Sequence, residues 1–468
     1  MNASALLQPI QRIASAILGR LRDGDLSEVV RGAAAVMGIR IGGAAIALLS
    51  QILLARWMGT FEYGIFAYVW VWVIILGILA PMGFGTSTLR FVPDYRIKEK
   101  WRRLSGILDA SWQMVLIFGL VAMSLGLMVL AALHNIVAPY YVWPLAIALI
   151  CVPAFALTDT LEGTARAFGW VNLAYLPAYI FRPVSVIAIG GIIYLMMGKL
   201  TGLAAVSGAL CASLLTLAGQ RFLLSRRIKN TVPRAKPLRH TKRWIIASLP
   251  LVLTEGLYLA LLNCDIVLLG VFVSPAEVGI YFAATRIVNL VTFIYFAVAA
   301  LAVPKFSELY AKGDHGELQS FVHNIIQWIF WPTLAAAIFI LLFGKFALGF
   351  FGADFASGSV LLAILVIGFL VRASTGPIEY LLNMTGNQNA TAAAYGVAAV
   401  LNIILNLVLV PRLGLEGAAI ATTISLVVAS IWLFIAVRRR LDITAFVFQF
   451  SKAVPEEKLP QEICERNT

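Results

Sequence analysis

Apolar runs of about 20 residues recur along almost the whole chain, and this recurrence limits the fold more than any single motif does. As a helix, a run of that length crosses the hydrocarbon layer, roughly 30 Å thick. One soluble core could not absorb them all. Of 468 residues, 61% are hydrophobic and only 13% are charged; a soluble domain is about half apolar and about a quarter charged. The two-residue alternation of an outer-membrane barrel is absent. The chain therefore reads as an all-α polytopic membrane protein.

About twelve spans are expected, near 33–55, 65–89, 107–133, 142–164, 172–197, 201–223, 244–270, 279–304, 321–343, 357–381, 389–411 and 414–437. The net charge of +13 is explained by where the cations sit. Arg90, Arg96, Lys98, Lys100, Arg102 and Arg103 follow span 2, and Arg221, Arg226, Arg227, Lys229, Arg234, Lys236, Arg239, Lys242 and Arg243 belong to the connection after span 6. Arg438, Arg439 and Arg440 follow span 12, whereas the opposite loops hold few cations, Lys199, Lys345 and Arg412 among them. The positive-inside bias puts both termini in the cytoplasm, and the same cations need no nucleic-acid partner.

The order of segments is then an amphipathic N-terminal segment at 1–32, a first lobe at 33–224, a basic linker at 225–243, a second lobe at 244–440 and a tail at 441–468. Residues 1–30 lack the uninterrupted apolar core and cleavage site of a signal peptide; Leu7, Ile10, Ala14, Ile17 and Leu21 share one helical face instead. Leu441, Ile443, Phe446, Phe448 and Phe450 suggest a short interfacial segment before a polar tail. The cysteines Cys151, Cys211, Cys264 and Cys464 form no readable disulfide framework.

The two halves match at an offset near 215. Glu62 aligns with Glu277, Gly64 with Gly279, Arg90 with Lys305 and Tyr95 with Tyr310; after two extra residues, Glu162 aligns with Glu379 and Arg221 with Arg438. Each half carries six spans, so both halves enter from the same side. The result is two parallel six-helix lobes related by an axis along the membrane normal, with a V-shaped central cavity that opens to alternate sides as the lobes rock.

Charges inside spans are the sharpest signal, because a central Arg or Asp costs roughly 2.5–3.5 kcal/mol and so faces protein or water. The deep positions are Arg40, Arg182, Glu255, Arg286 and Arg372, with Asp265 and Glu379 nearer span ends. The arginines are substrate-binding candidates, since guanidinium meets phosphate oxygens bidentately. Glu255, Asp265 and Glu379 are candidates for coupling to a proton or sodium gradient. Arg40 and Glu255 occupy equivalent positions in the repeat, so they are expected to present opposite charges to the cleft at similar depth. Gln51, Asn263, Asn402 and Asn406 either line that cleft or bond between helices. Pro81, Gly83 and Gly85 mark a kink in span 2.

Catalytic constellations are missing. His134, His240, His315 and His323 have no metal-ligand spacing, and no phosphate loop or nucleophile elbow occurs. Outer loops are too short to house a membrane polymerase or ligase site. A transporter is expected, with no catalytic residue, metal or cofactor.

The segment Leu53-Leu54-Ala55-Arg56-Trp57-Met58-Gly59, followed by Glu62-Tyr63-Gly64-Ile65-Phe66-Ala67, resembles the first-loop signature of the polysaccharide transporter family. These are the Wzx-type flippases of the MATE-like MOP superfamily. Leu161-Glu162-Gly163, Gly386-Asn387 and Leu413-Gly414-Leu415-Glu416-Gly417 agree with it. The resemblance covers about residues 33–440. It implies translocation of undecaprenyl-diphosphate-linked oligosaccharide across the bacterial inner membrane for O-antigen or exopolysaccharide synthesis. It also implies membrane lipids and polysaccharide polymerase or chain-length machinery as partners. A MATE-like multidrug or cation antiporter is the alternative, and a membrane polymerase or ligase a third.

Overall fold

The structure, a computed structural model, describes residues 24–448 apart from position 234, except for the side chains of 24–36 and of several residues between 242 and 301, Glu255 among them. The amphipathic helix expected before residue 24 and the tail from residue 449 lie outside the described residues. The first lobe is built from α1 (Gly24–Leu79), α2 (Phe84–Ile97), α3 (Trp101–Ala132), α4 (Pro139–Ala167), α5 (Val171–Leu176), a π-helical turn at Pro177–Phe181, α6 (Arg182–Met197) and α7 (Gly202–Thr231). The second is built from α8 (Thr241–Phe272), α9 (Pro275–Lys312), α10 (His315–Gly349), a 3-10 turn at Ala353–Gly358, α11 (Ser359–Thr375), α12 (Ile378–Met384) and α13 (Gln388–Leu441). Among the described residues there is no strand.

α1 and α13 are each too long for one crossing. As a straight helix either would run about 80 Å, more than twice the hydrocarbon thickness. Each turns back at a glycine with positive φ: Gly59 (φ 73°) and Gly414 (φ 55°). The reversal is visible in the contacts. The Tyr63 hydroxyl donates to Gln51 Oε1 at 3.0 Å, which a continuous helix would hold roughly 18 Å apart. A Cβ on Gly417 would stand 2.5 Å from the Leu409 carbonyl oxygen. Among the described residues nine helices are long and apolar enough to cross a membrane; with these two hairpins counted twice they make eleven crossings, and α8 adds a shorter apolar stretch, Gly256–Phe272, where span 7 is expected.

Several boundaries differ from the sequence reading. Span 2 ends at Leu79, where Gly83 (φ 71°) breaks it and starts α2, so Arg90 and Arg96 lie on a helix instead of a loop. Span 10 likewise breaks at Gly376 (φ 67°) before Pro377. α7 continues to Thr231, so the first part of the basic linker is helical. Farther along, Leu238 N donates to the Arg102 carbonyl at 2.8 Å. The segment after α13 is an extended strap packed on the second lobe. Ile443, Ala445 and Val447 are buried, Gln319 bonds both the Thr444 N–H and its carbonyl, and Val447 N donates to the Ser374 carbonyl.

The repeated glutamates of the corners act as caps. Glu277 closes a capping box with Ser274 at the start of α9. Glu62 Oε2 accepts from Gly202 N at 2.6 Å, satisfying the start of α7. The lobes meet along α1 and α9, and again where α2 meets α8.

Candidate functional site

The central seam begins at a tight closure. Gly64 on the second arm of α1 abuts Gly279 on α9, and Gly270 on α8 faces the Tyr68 ring. Tyr63 packs against Phe282, Phe351 and Phe355 of the other lobe, and Arg56 Nε donates to the Phe350 carbonyl at 2.7 Å. A second zone joins the lobes near the basic face. There Ser87 and Ser248 hydroxyls are 2.5 Å apart, and Trp244 Nε1 donates to the Tyr95 hydroxyl at 3.1 Å.

By helix rise the four candidate arginines fall at intermediate depths within their spans. Measured as helix rise from the corner that starts or ends each span, Arg286 is about 18 Å from Ser274, Arg372 about 21 Å from Gly358, Arg182 about 24 Å from Gly198 and Arg40 about 28 Å from Gly59. They descend toward the basic face.

Their surroundings differ. Arg286 lies over the Phe282 ring at 4.0 Å, its Nε has no hydrogen-bond partner among the described residues, and Tyr63 is the group that acts on it electrostatically. Among the described residues no ion pair engages it. Arg40 sits against two tyrosine rings, 5.3 Å from Tyr175 and 5.8 Å from Tyr179. The close approach is set by Gly43, where a Cβ would meet Tyr179 Cβ at 2.7 Å, and by the π-helical turn that carries Tyr179. Arg40 also acts electrostatically on Tyr380 across the lobe boundary and, with Arg182, on Glu162. Arg182 lies over Phe155 at 4.6 Å. The Glu255 side chain, the expected counterpart of Arg40, lies outside the described residues.

Arg372 is fully engaged. Its guanidinium meets Glu379 Oε1 at 2.8 Å and donates to the Tyr258 hydroxyl at 2.8 Å. Tyr295 donates to the same Glu379 oxygen at 2.6 Å, and its ring lies 4.6 Å from the guanidinium. Both charged side chains are nearly buried. Beside them a small pocket is lined by Thr292, Tyr295, Thr333 and Phe369. The pair is thus a structural junction of α8, α9, α11 and α12 as well as a cavity wall.

Asp265 is buried in a network of neutral donors. Its Oδ2 accepts from the Tyr281 hydroxyl at 2.5 Å and from Thr422 Oγ1 at 3.2 Å. Asn402 donates to Thr422 and accepts from Asn406 and from the Cys264 thiol. Among the described residues no cation pairs with Asp265. Carboxylate, amide and hydroxyl oxygens gathered without a protein cation suit a proton or a small hard cation. Asn402 and Asn406 therefore serve this network inside the second lobe and do not line the seam.

Sequence reasoning missed the tyrosines around Arg372 and undervalued Glu162. The tyrosines carry no charge pattern, and helix-to-helix distances decide their role. Glu162 had a signal: it is the repeat partner of Glu379, and each has an arginine close by, Arg166 at 3.9 Å and Arg372 at 2.8 Å.

Comparison with known proteins places this geometry among membrane transporters. Residues 29–310 match the family described as polysaccharide biosynthesis protein, and residues 250–408 match the MatE family. A Haloferax volcanii protein named probable low-salt glycan biosynthesis flippase Agl15 is 25% identical over 401 residues, which cover 84% of this chain and 79% of that one. A solved multidrug resistance MATE family transporter of the MOP superfamily, in its inward-facing conformation, superposes with a TM-score of 0.71 at 18% identity, over 88% of this chain and 98% of that one. The lipid II flippase MurJ in an inward closed conformation gives a TM-score of 0.70 at 16% identity, over 86% of this chain and 87% of that one. At such identities the two structures establish the fold.

Proposed function

The chain belongs to the polysaccharide biosynthesis protein family, and on that premise we propose that it is a flippase for lipid-linked oligosaccharide, working by alternating access. The observation that carries this reading is the set of arginines inside the spans, of which Arg286 has no ion pair among the described residues. Such a cation, held in a membrane interior, suits a diphosphate. The Haloferax relative is named a glycan biosynthesis flippase and MurJ a lipid II flippase, which supports a lipid-linked substrate. The carrier is read as an undecaprenyl-diphosphate type and the product as surface polysaccharide of the O-antigen or exopolysaccharide kind.

In this mechanism the diphosphate enters from the basic face, where Arg40 and Arg182 lie, and advances toward Arg286. The Gly64–Gly279 contact opens for release while the α2–α8 contact holds the other side closed. Asp265 couples the cycle to a proton or sodium gradient. The protein resides in the bacterial cytoplasmic (inner) membrane with both termini in the cytoplasm, the lobes joined by the linker near 225–243, and polysaccharide polymerase or chain-length proteins taking up its product.

Disruption of the gene tests the reading. Lipid-linked repeat units should accumulate on the cytoplasmic face, and Arg286→Ala should reproduce this while inserting normally. Unchanged lipid-linked sugars with altered drug tolerance would overturn it. That outcome would favour a cation-coupled drug antiporter, the reading that the MatE match and the acidic Asp265 network support.

A further inference from the structure

α7 leaves the membrane at the basic face with an arginine on its outer surface. Arg221 is exposed, and so are the apolar side chains around it, Leu214, Leu215, Phe222 and Leu223. Exposed leucines on a spanning helix face acyl chains, so Arg221 stands at the boundary between chains and headgroups. An arginine there would ordinarily extend toward water. Its guanidinium instead lies 4.1 Å from the Trp112 ring centre on α3. Farther along α7, Arg227 lies 4.8 Å from the Trp170 ring, which stacks on Phe168 at 4.6 Å. Trp112 and Trp170 both pack against the apolar cluster that Leu217 and Ile228 also join.

A guanidinium held over a ring by its charge still has N–H groups to offer to phosphate oxygens. Among the described residues no ion pair engages Arg221 or Arg227. Asp109 acts on Arg221 only beyond ion-pair distance. Membrane topology requires cations on this face but not indoles beneath them. The second lobe shows the difference. Arg438 is the repeat partner of Arg221, but the positions matching Trp112 and Trp170 hold Gln327 and Asn387. Gln327 bonds the Val447 carbonyl of the tail strap, and Asn387 accepts from Arg440.

We propose that Arg221 and Arg227, seated on Trp112 and Trp170, form a site on the first lobe for the phosphate of an anionic membrane-lipid headgroup. Basic surfaces between spanning helices on the positive side are suited to such headgroups. Arg221 and Arg227 are exposed, whereas Arg40, Arg182, Arg286 and Arg372 are partly buried, and the test of the site does not depend on the transport reading.

The full-length purified chain is examined by native mass spectrometry with phosphatidylglycerol, with phosphatidylcholine, and with soluble inorganic pyrophosphate as competitor. Phosphatidylglycerol should be retained preferentially, and Arg221→Gln and Trp112→Leu should each lower its retention at least about fivefold. Arg221→Lys keeps the charge without the planar fork and should resemble Arg221→Gln; it also carries the test if Trp112→Leu does not insert. Equal retention by wild type, Arg221→Gln and Arg221→Lys would overturn the site. A loss of the same size in Arg438→Gln would reduce the effect to general surface charge and overturn it too. Displacement of the lipid by pyrophosphate would assign the site to soluble anions instead.

Discussion

Gly64 and Gly279 meet back to back across the lobe boundary. A Cβ on Gly64 would land on the Pro275 carbonyl and 3.0 Å from Gly279 N, while a Cβ on Gly279 would stand 2.5 Å from the Thr60 carbonyl oxygen and 3.0 Å from Gly64 N. The two glycines are partners in the sequence repeat, so the contact is made by the same position of each lobe with itself, as across a twofold axis. Small residues let helix backbones approach this closely in a membrane.

Gly279→Ala and Gly64→Ala should therefore hold this end of the seam apart. The obstructing atoms are backbone and cannot swing aside, and overpacking of this kind costs about 1–3 kcal/mol. Transport should fall at least about tenfold, while insertion is retained. Spin-label distances between the lobes at this end should lengthen; unchanged distances in both variants would contradict a gating role.

The Arg372–Glu379 pair gives a stability prediction with a clear sign. Removing one member of a buried pair leaves the other unpaired and costs about 3–5 kcal/mol. Glu379→Gln should lower the thermal midpoint in detergent by several degrees. An Arg372→Met/Glu379→Gln double variant should be more stable than Glu379→Gln alone, because no orphaned guanidinium remains. A double variant that sums the two losses would show that the pair acts through the tyrosines, not through charge.

Asp265 and Tyr281 should separate coupling from folding. Asp265→Asn keeps the shape and removes the charge, so transport should lose its dependence on the ion or proton gradient while the thermal midpoint changes little. Tyr281→Phe deletes the 2.5 Å donor and should instead destabilise, by about 1.5–3 kcal/mol as for a hydrogen bond to a charged group. If both variants keep gradient-dependent uptake, Asp265 is a structural residue.

Outside the membrane, Glu308 at the end of α9 offers a pH test. Hydrogen bonds from Lys312, at 2.7 Å, and from Lys305, at 3.0 Å, hold its carboxyl down at about 2 from the ordinary 4.5. A folded value below the unfolded one means the interaction supports the folded state above about pH 4.5 and fades as the pH falls toward 2. Carbon-13 NMR of labelled glutamate should show this depressed titration, and Lys312→Gln should raise it. A titration near 4.5 in the unmodified chain would rule out the ion-paired geometry in solution.

Much of the architecture is written in the sequence because one solvent dictates it. A bilayer demands long apolar helices, and charge bias orients them, so the spans, the two lobes and the depth of each arginine follow from local pattern. The repeat even exposed the equivalence of Gly64 with Gly279. What the tertiary structure decided is which charges are already satisfied. Arg286 and Arg372 read alike as lone cations in apolar runs, yet Arg372 is held by Glu379 and Tyr258 while Arg286 rests on Phe282 with no carboxylate among the described residues. Likewise Arg221 read as one more cation of the positive face until Trp112 was found beneath it. These distinctions depend on helix-to-helix contacts between residues far apart in the chain. A hydropathy pattern fixes how deep a residue sits in the membrane, and it carries no information on which helix stands next to it.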